Sequence, residues 1–209
     1  MIKTFNIISV FLFLIFQQYF FVVLEAAQSR QNLQSRLLQV SNELLSLGAV
    51  SYVYGGHRVG DDRQCKECQS CLGEKKPKPK QRLKVCASCL HCSLDCSHFV
   101  QLVYEKSGMP FPYLTTQVMR EAPPHVLRRY KLVDLGVRLQ VAQPGDLLVY
   151  LNHVVMLERV TQSERGDVIH ATGGRDLKGP GHGIQRERSV PLRSFRGPLL
   201  KILRHQRLL

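Results

Sequence analysis

The feature that most limits how this chain of 209 residues can fold is its seven cysteines. Six of them form two triplets with the spacing Cys-x-x-Cys-x-x-Cys, and a seventh, Cys96, follows closely. The triplet members are Cys65, Cys68, Cys71, Cys86, Cys89 and Cys92. Three interpretations stay open: three disulfides, a structural zinc site with thiolate ligands, or an iron–sulfur cluster that recruits Cys96.

The N-terminus bears on that choice because it has the layout of a secretory signal. Lys3 precedes an apolar run over residues 5–24, and small residues close it within the first 27 positions. The segment is predicted to be a cleaved signal peptide or, since the run is about long enough to cross a bilayer, a signal anchor. Residues 28–209 are then exported to the periplasm, cell envelope or medium. An oxidising compartment favours disulfides and leaves Cys96 as the odd, reactive thiol.

Charge and length limit the partners and the number of domains. The formal net charge is +13, which draws an exported protein to the anionic cell-envelope surface. No nucleic-acid-binding motif is present, so a specific nucleic-acid partner is not expected, and the protein is predicted to be a monomer. Residues 28–209 suffice for one domain with a cysteine-rich insert over residues 57–95. Its tip, GEKKPKPKQRLK, is predicted to be exposed, extended and mobile.

Hydrophobic periodicity predicts helices first and strands later. A helix is predicted over residues 29–47, with one apolar stripe formed by Leu33, Leu37, Val40, Leu44 and Leu47. A second is predicted over residues 96–107 with Asp95 as its N-cap, and residues 111–145 are expected to be loop. Strands are predicted in GDLLVYLNHVVMLERV (two), GDVIHATGG and GPLLKILRHQRLL. This order indicates an α+β fold.

Cys96 lies where a cysteine becomes a nucleophile. The free N–H groups and dipole at a helix N-terminus favour a thiolate and can stabilise an oxyanion. A histidine must act as base, and a third polar group must orient it. His153 and His170 fall in consecutive predicted strands, which can bring both to one sheet face packed against the central helix.

Several stretches in order carry a specific resemblance. They are YVYGG, DCSHFVQLVYEKSGMPFP, TTQ, QPGDLLVY, HVVMLERV and IHATGG. In order and spacing they resemble the NlpC/P60 family of cysteine peptidases, over roughly residues 35–176 without the insert. The resemblance implies a papain-like α+β core in which the cysteine helix packs on an antiparallel sheet.

The resemblance also implies an activity, namely hydrolysis of amide bonds in peptidoglycan stem peptides, often between γ-linked D-glutamate and a diamino acid. The positions that match the catalytic residues are Cys96 as nucleophile, His153 as base and His170 as the orienting group. The positions that match substrate-side or oxyanion residues are Tyr52, Asp95 and Ser97. No cofactor is implied, and zinc in the insert stays an open alternative.

Three departures from the family pattern leave the substrate open: His98, Val155 and Tyr54 replace a common glycine, a small residue and a tryptophan. One alternative is a papain-like amidase, acyltransferase or toxin acting on a non-wall substrate. Another is a non-catalytic metal-binding or redox module. A reversible disulfide between Cys96 and Cys92 is a further hypothesis, since thiolates attack nearby disulfides.

Overall fold

The structure is a computed structural model that describes residues 7–162, 164–173 and 183–209. The helices in these ranges are α1 (Ile7–Ser46), α2 (Asp62–Lys75), α3 (Arg82–Val85), α4 (Cys96–Lys106), α5 (Thr116–Glu121) and α6 (Pro124–Arg129). The strands are β1 (Ser51–Tyr52), β2 (His57–Arg58), β3 (Ser93–Leu94), β4 (Leu132–Asp134), β5 (Leu147–Val149), β6 (Val154–Gln162), β7 (Arg165–Thr172), β8 (Gly183–Pro191) and β9 (Lys201–His205).

The main sheet is antiparallel throughout and has the order β4-β9-β5-β6-β7-β8. One face packs against α1 and α4 in the larger hydrophobic cluster, and the other face carries a second cluster. Because both faces are buried, the strands are continuous apolar runs such as LLVY and VVML rather than alternating ones. The α+β class, with the cysteine helix on an antiparallel sheet, is confirmed.

Helix α1 is longer than its apolar stripe predicted. It begins at Ile7, within the segment read as a signal, and runs unbroken to Ser46. Leu37, Val40 and Leu44 of the stripe are buried, whereas Leu47 lies past the helix end and is exposed. Among the helices described, none is long and apolar enough to span a bilayer. The proposed signal lies partly in residues 1–6, outside the described residues, and its end near residue 27 stays a prediction.

The insert is held by three nested disulfides between α2 and the turns that follow it. The bonds are Cys65–Cys92, Cys68–Cys89 and Cys71–Cys86. The disulfide interpretation of the triplets is therefore confirmed. All six triplet sulfurs are paired in these bonds, and zinc in the insert is an alternative that stays untested.

The tip of the insert is largely exposed, as predicted, but it contains helical turns rather than a fully extended segment, and its mobility stays a prediction. After α2 the chain forms a 3₁₀ turn at Pro79–Gln81 and the short helix α3, and it buries Arg82. The Cys71–Cys86 bond joins the two ends of this tip, so the tip cannot extend as a free Lys-Pro segment would. Tertiary restraint overrides the local preference here.

Two further stretches contain more regular structure than predicted. Residues 111–145 include α5, α6 and β4, which are too short to give a clear period. Strand β8 was missed because its charged residues give no apolar alternation on either face. This strand matters because it extends the sheet beside β7 and supplies Glu187.

Candidate active site

Cys96 is the first residue of α4, and its sulfur is buried against the beginning of β6. Asp95 caps the helix by accepting a hydrogen bond from the His98 N–H at 2.8 Å. The backbone N–H of Val154, the residue that follows His153, acts on the Cys96 sulfur and lowers the pKa of its thiol. The hydroxyl of Thr116, in α5, lies 3.6 Å from the same sulfur.

A chain of polar side chains leads from His153 into the sheet. Nε2 of His153 lies 2.5 Å from Nδ1 of His170. Nε2 of His170 lies 3.2 Å from Oε1 of Glu187 on the neighbouring strand β8. Arg196 in turn donates to the same Glu187 oxygen at 3.1 Å. We call His153, His170 and Glu187 the histidine relay.

Glu187 decides the tautomers of this relay. A carboxylate only accepts, so Nε2 of His170 must donate to it, which leaves Nδ1 of His170 as an acceptor. Nε2 of His153 then donates to that acceptor, and the lone pair of His153 is left on Nδ1. His153 is thereby prepared to take a proton at Nδ1, as a general base must.

The histidines share a site, but His170 does not face the central helix as expected. Residues alternate along a strand, so His170 lies on the same face as Val168, which belongs to the second hydrophobic cluster. Its ring contacts Phe195, with centroids 5.5 Å apart. His153 lies directly before β6, next to Val154, whose backbone N–H acts on the Cys96 sulfur. Among the described residues, no hydrogen bond joins Cys96 to His153 directly.

The nucleophile and the base are both neutral in this arrangement. Burial raises the pKa of the Cys96 thiol, and the hydrogen bonds from Val154 and Thr116 oppose that shift only in part. Burial also holds the pKa of His153 well below its usual value, and positive charge on His170 or Arg196 would lower it further. The pKa of His170 is lowered by burial as well, although Glu187 opposes the shift.

Tyr52 lies close enough to Cys96 to respond to its charge. Its pKa is raised by burial first, and then by negative charge on Cys96 and Asp95, while Arg82 opposes the shift. The phenol is therefore protonated and can donate a hydrogen bond. Charge on Cys96 thus acts on Tyr52, and the substrate-side or oxyanion role of Tyr52 stays a prediction.

Asp95 and Ser97 are close to the nucleophile, but they are largely engaged with their own helix. Oδ1 of Asp95 accepts from Ser97 Oγ at 2.9 Å and lies 3.0 Å from His98 Nδ1. Its other oxygen accepts from the Gly55 N–H at 3.1 Å. Burial raises the pKa of Asp95, yet the bonds from His98 and Ser97 outweigh burial and leave the pKa below its usual range. The capping role is clear, and contact with substrate stays a prediction.

Sequence reasoning missed three residues at this site: Thr116, Glu187 and Arg82. Thr116 belongs to the TTQ motif, which was noted without a role. Glu187 and Arg82 had no sequence signal, because strand pairing and disulfides bring them to the site. Within the described ranges, no cluster of His, Cys, Asp and Glu side chains has the arrangement of a metal site.

Comparison with known proteins adds a likeness of fold. No protein-family model matches the sequence, and no curated protein matches it. Among solved structures, the chain is similar to the peptidoglycan hydrolase RipB from Mycobacterium tuberculosis, with 15% sequence identity and a TM-score of 0.48. The match covers 85% of this chain and 66% of RipB, so this chain spans just under two thirds of the length of that protein.

Proposed function

We propose that this protein is an exported cysteine peptidase that hydrolyses amide bonds in peptidoglycan stem peptides. The observation that carries the proposal is the placement of Cys96. Its sulfur lies at a helix N-terminus and near the backbone N–H of Val154, and the residue before Val154 is His153, which is linked to Glu187 through His170. Cys96 as nucleophile, His153 as base and His170 as orienting group are the roles that this arrangement supports.

The reaction begins from a neutral thiol and a neutral imidazole. As the Cys96 sulfur attacks the amide carbonyl, its proton passes to Nδ1 of His153, and a carbon–sulfur bond forms. The carbon–nitrogen bond then breaks, its electron pair goes to the leaving amine, and His153 returns the proton to that nitrogen. Water hydrolyses the thioester with His153 again as base, which restores the thiol and releases a carboxylate.

Negative charge on the tetrahedral oxygen needs donors that are already in place. The first turn of α4 offers backbone N–H groups, and the protonated Tyr52 hydroxyl is near enough to Cys96 for charge on Cys96 to raise its pKa. Donors that are fixed before the reaction stabilise such charge without reorganising during it. Tyr52 and this first turn are therefore proposed as the oxyanion donors.

The substrate class and location follow from other features. The motif order from YVYGG to IHATGG resembles NlpC/P60 peptidases, which implies a bond between γ-linked D-glutamate and a diamino acid. Three disulfides fit an oxidising compartment outside the cytoplasm. The net charge of +13 favours attraction to the anionic envelope that contains this substrate.

The test is cleavage of a panel of defined stem peptides, with mass spectrometry of the products. Cys96→Ala and His153→Ala should each lower the rate by at least about 10³-fold, because nucleophile and base act as one unit. His91→Ala removes an exposed histidine of the insert and serves as the matched control. It should cleave as the wild type does.

Product patterns separate this proposal from other functions. Undiminished product release by Cys96→Ala would contradict a cysteine peptidase. Cleavage confined to non-wall amides, or transfer of the acyl group to an added amine, would contradict the proposed substrate or reaction. Circular dichroism of each variant should match the wild type, so that loss of activity is not loss of fold.

A further inference from the structure

Arg82 is a buried cation that lacks the partner such residues ordinarily have. Its exposed fraction is 3%, yet among the described residues no carboxylate pairs with it. Arg204, the other buried arginine described, forms two 2.8 Å bonds to Asp146. A buried guanidinium without a counter-ion is costly, and the lowered pKa of Arg82 has burial as its cause. Arg82 is thus a buried cation whose charge no described carboxylate offsets.

The guanidinium points toward the candidate active site. Nη1 of Arg82 donates to the backbone carbonyl of Tyr52 at 3.2 Å. Its charge also acts on the Tyr52 hydroxyl, the same group that responds to charge on Cys96. Nη1 makes the one side-chain hydrogen bond found for Arg82 among the described residues, so Nε and Nη2 keep donor capacity.

The disulfide insert explains how Arg82 is held there. The Cys71–Cys86 bond closes the tip, and Arg82 begins α3 four residues before Cys86. Val53, which directly follows Tyr52, packs in one cluster with Cys68, Cys86 and Cys89 and with Leu83 beside them. The insert and the Tyr52 segment thus form one packed unit. An arginine on a free Lys-Pro loop would have no such fixed position.

Gly173 lies close to both members of this pair. A Cβ added to Gly173 would lie 3.0 Å from Cδ1 of Tyr52 and 3.7 Å from Nη1 of Arg82. Any larger residue would therefore crowd the tyrosine ring and approach the guanidinium. Gly173 directly follows β7, the strand that carries His170, so it belongs to the same site.

We propose that Arg82 binds a carboxylate of the substrate, in a subsite that the insert builds beside Tyr52. The planar fork of a guanidinium matches a carboxylate with two parallel hydrogen bonds. This inference rests on the proposed function, in which the substrate contains γ-linked glutamate. A γ-linkage leaves the α-carboxylate of that residue free, only a few bonds from the scissile carbonyl. Arg82 thereby selects for an unmodified α-carboxylate.

The experiment compares two stem peptides that differ at one group: the α-carboxylate of the γ-linked glutamate, or its carboxamide. The wild type should prefer the carboxylate by about 10- to 100-fold in kcat/KM, as expected for bonds to a charged group. Arg82→Gln should bring this ratio close to one. Arg82→Lys keeps the charge without the fork, so it should retain an intermediate preference.

Arg63→Gln is the matched control, because it removes the same charge from an exposed position of the insert. Its preference should equal that of the wild type. If kcat/KM fell by the same factor for both peptides in Arg82→Gln and in Arg82→Lys, the carboxylate preference would be unchanged. Arg82 would then only support the fold. A wild type that shows no preference would also overturn the proposal. Thermal melting of each variant monitors folding.

Binding to Cys96→Ala separates this inference from the proposed activity. Calorimetry with the same two peptides measures carboxylate selection without any cleavage. Selective binding by Cys96→Ala that is lost in Cys96→Ala/Arg82→Gln supports the subsite, even if the wild type cleaves neither peptide and the peptidase proposal fails. Equal affinity for the two peptides, or binding of neither, contradicts the subsite.

Discussion

At the residue scale, the histidine relay illustrates how one carboxylate can determine the tautomers of two imidazoles. Glu187 is half-exposed, yet its bond to Nε2 of His170 fixes which nitrogens carry protons as far as His153. Its bond to His170 is the main reason that its own pKa lies below the usual value. It is thus ionised over the range in which a peptidase works, and it acts as a positioning residue.

Replacing the Glu187 carboxylate by an amide should change the tautomers of His170 and His153 while leaving the size and shape of the side chain at position 187 nearly unchanged. In Glu187→Gln the side-chain amide can donate to His170, which favours the wrong tautomer and removes the lone pair from Nδ1 of His153. We expect kcat to fall at least about tenfold, with KM little changed. Steady-state kinetics on a stem peptide, together with the rate of Cys96 alkylation at neutral pH, measure the effect.

Glu158→Gln supplies the control for this prediction. Glu158 lies on β6 and pairs with Arg186 on β8, so its replacement breaks an ion pair that spans the intervening strand β7. Its kcat should stay close to that of the wild type. If Glu187→Gln raised KM alone, or if both variants lost activity equally, the tautomer argument would be wrong.

At the element scale, the insert is a pair of helical segments joined by disulfides rather than a loop. Its capping box at Asp61 and Gln64 begins α2, and the triplet spacing places all three sulfurs along one helix. The partner turn meets them in reverse order, which gives nested bonds. Nesting of this kind follows when two segments run antiparallel.

Removing the middle bond should destabilise the protein and loosen the site. The bond Cys68–Cys89 closes a loop with a sequence separation of 21. The double variant Cys68→Ala/Cys89→Ala should lose about 3 kcal/mol of unfolding free energy, by the loop-entropy argument. Denaturant unfolding measures the loss. Ser70→Ala, an exposed change on the same helix, should alter stability by less than about 0.5 kcal/mol.

Mass mapping of the unreduced protein checks the pairing itself. Three nested pairs should be found, and only Cys96 should react with an alkylating reagent once the chain is unfolded. Recovery of a Cys92–Cys96 pair would instead support the reversible disulfide between these two cysteines, since the structure joins Cys92 to Cys65.

An unchanged denaturant midpoint for Cys68→Ala/Cys89→Ala would mean that packing alone holds the insert.

At the scale of the whole molecule, the C-terminal strand adds a pH-dependent component to stability. His205 ends β9 and is buried near Tyr104 of α4, with ring centroids 5.8 Å apart. Burial first, and then the charges of Lys131 and Arg207, lower the pKa of His205 to about 4. The folded protein thus resists protonating a group that the unfolded chain protonates near pH 6.5.

Stability should therefore fall as the pH decreases from 6.5 towards 4, because the unfolded state binds more protons there. His205 alone should account for a loss of about 3 kcal/mol across this window, and for none above it. In His205→Asn the dependence should be flatter by that amount, measured by denaturant unfolding at several pH values. His125→Gln, at an exposed position, should keep the wild-type slope. Equal slopes for wild type and His205→Asn would contradict the assignment.

The sequence alone determined the α+β class, the capped helix that begins at Cys96, the strand that carries His170 and the strand that begins directly after His153. These features depend on local pattern and on which residue begins or ends an element, so they can be recognised in one dimension. The same is true of the odd cysteine, since six cysteines in matched triplets leave one unpaired.

Only the tertiary structure decided which side chains complete the site. Glu187 reaches His170 because β8 pairs with β7, and its charged sequence gives no apolar signal of a strand. Arg82 reaches Tyr52 because three disulfides fold back a tip whose Lys-Pro content alone favours extension. Both contacts depend on pairing between residues that are distant in sequence. Such pairing lowers the free energy of the folded state as a whole, so the conformational preference of a short segment does not predict it.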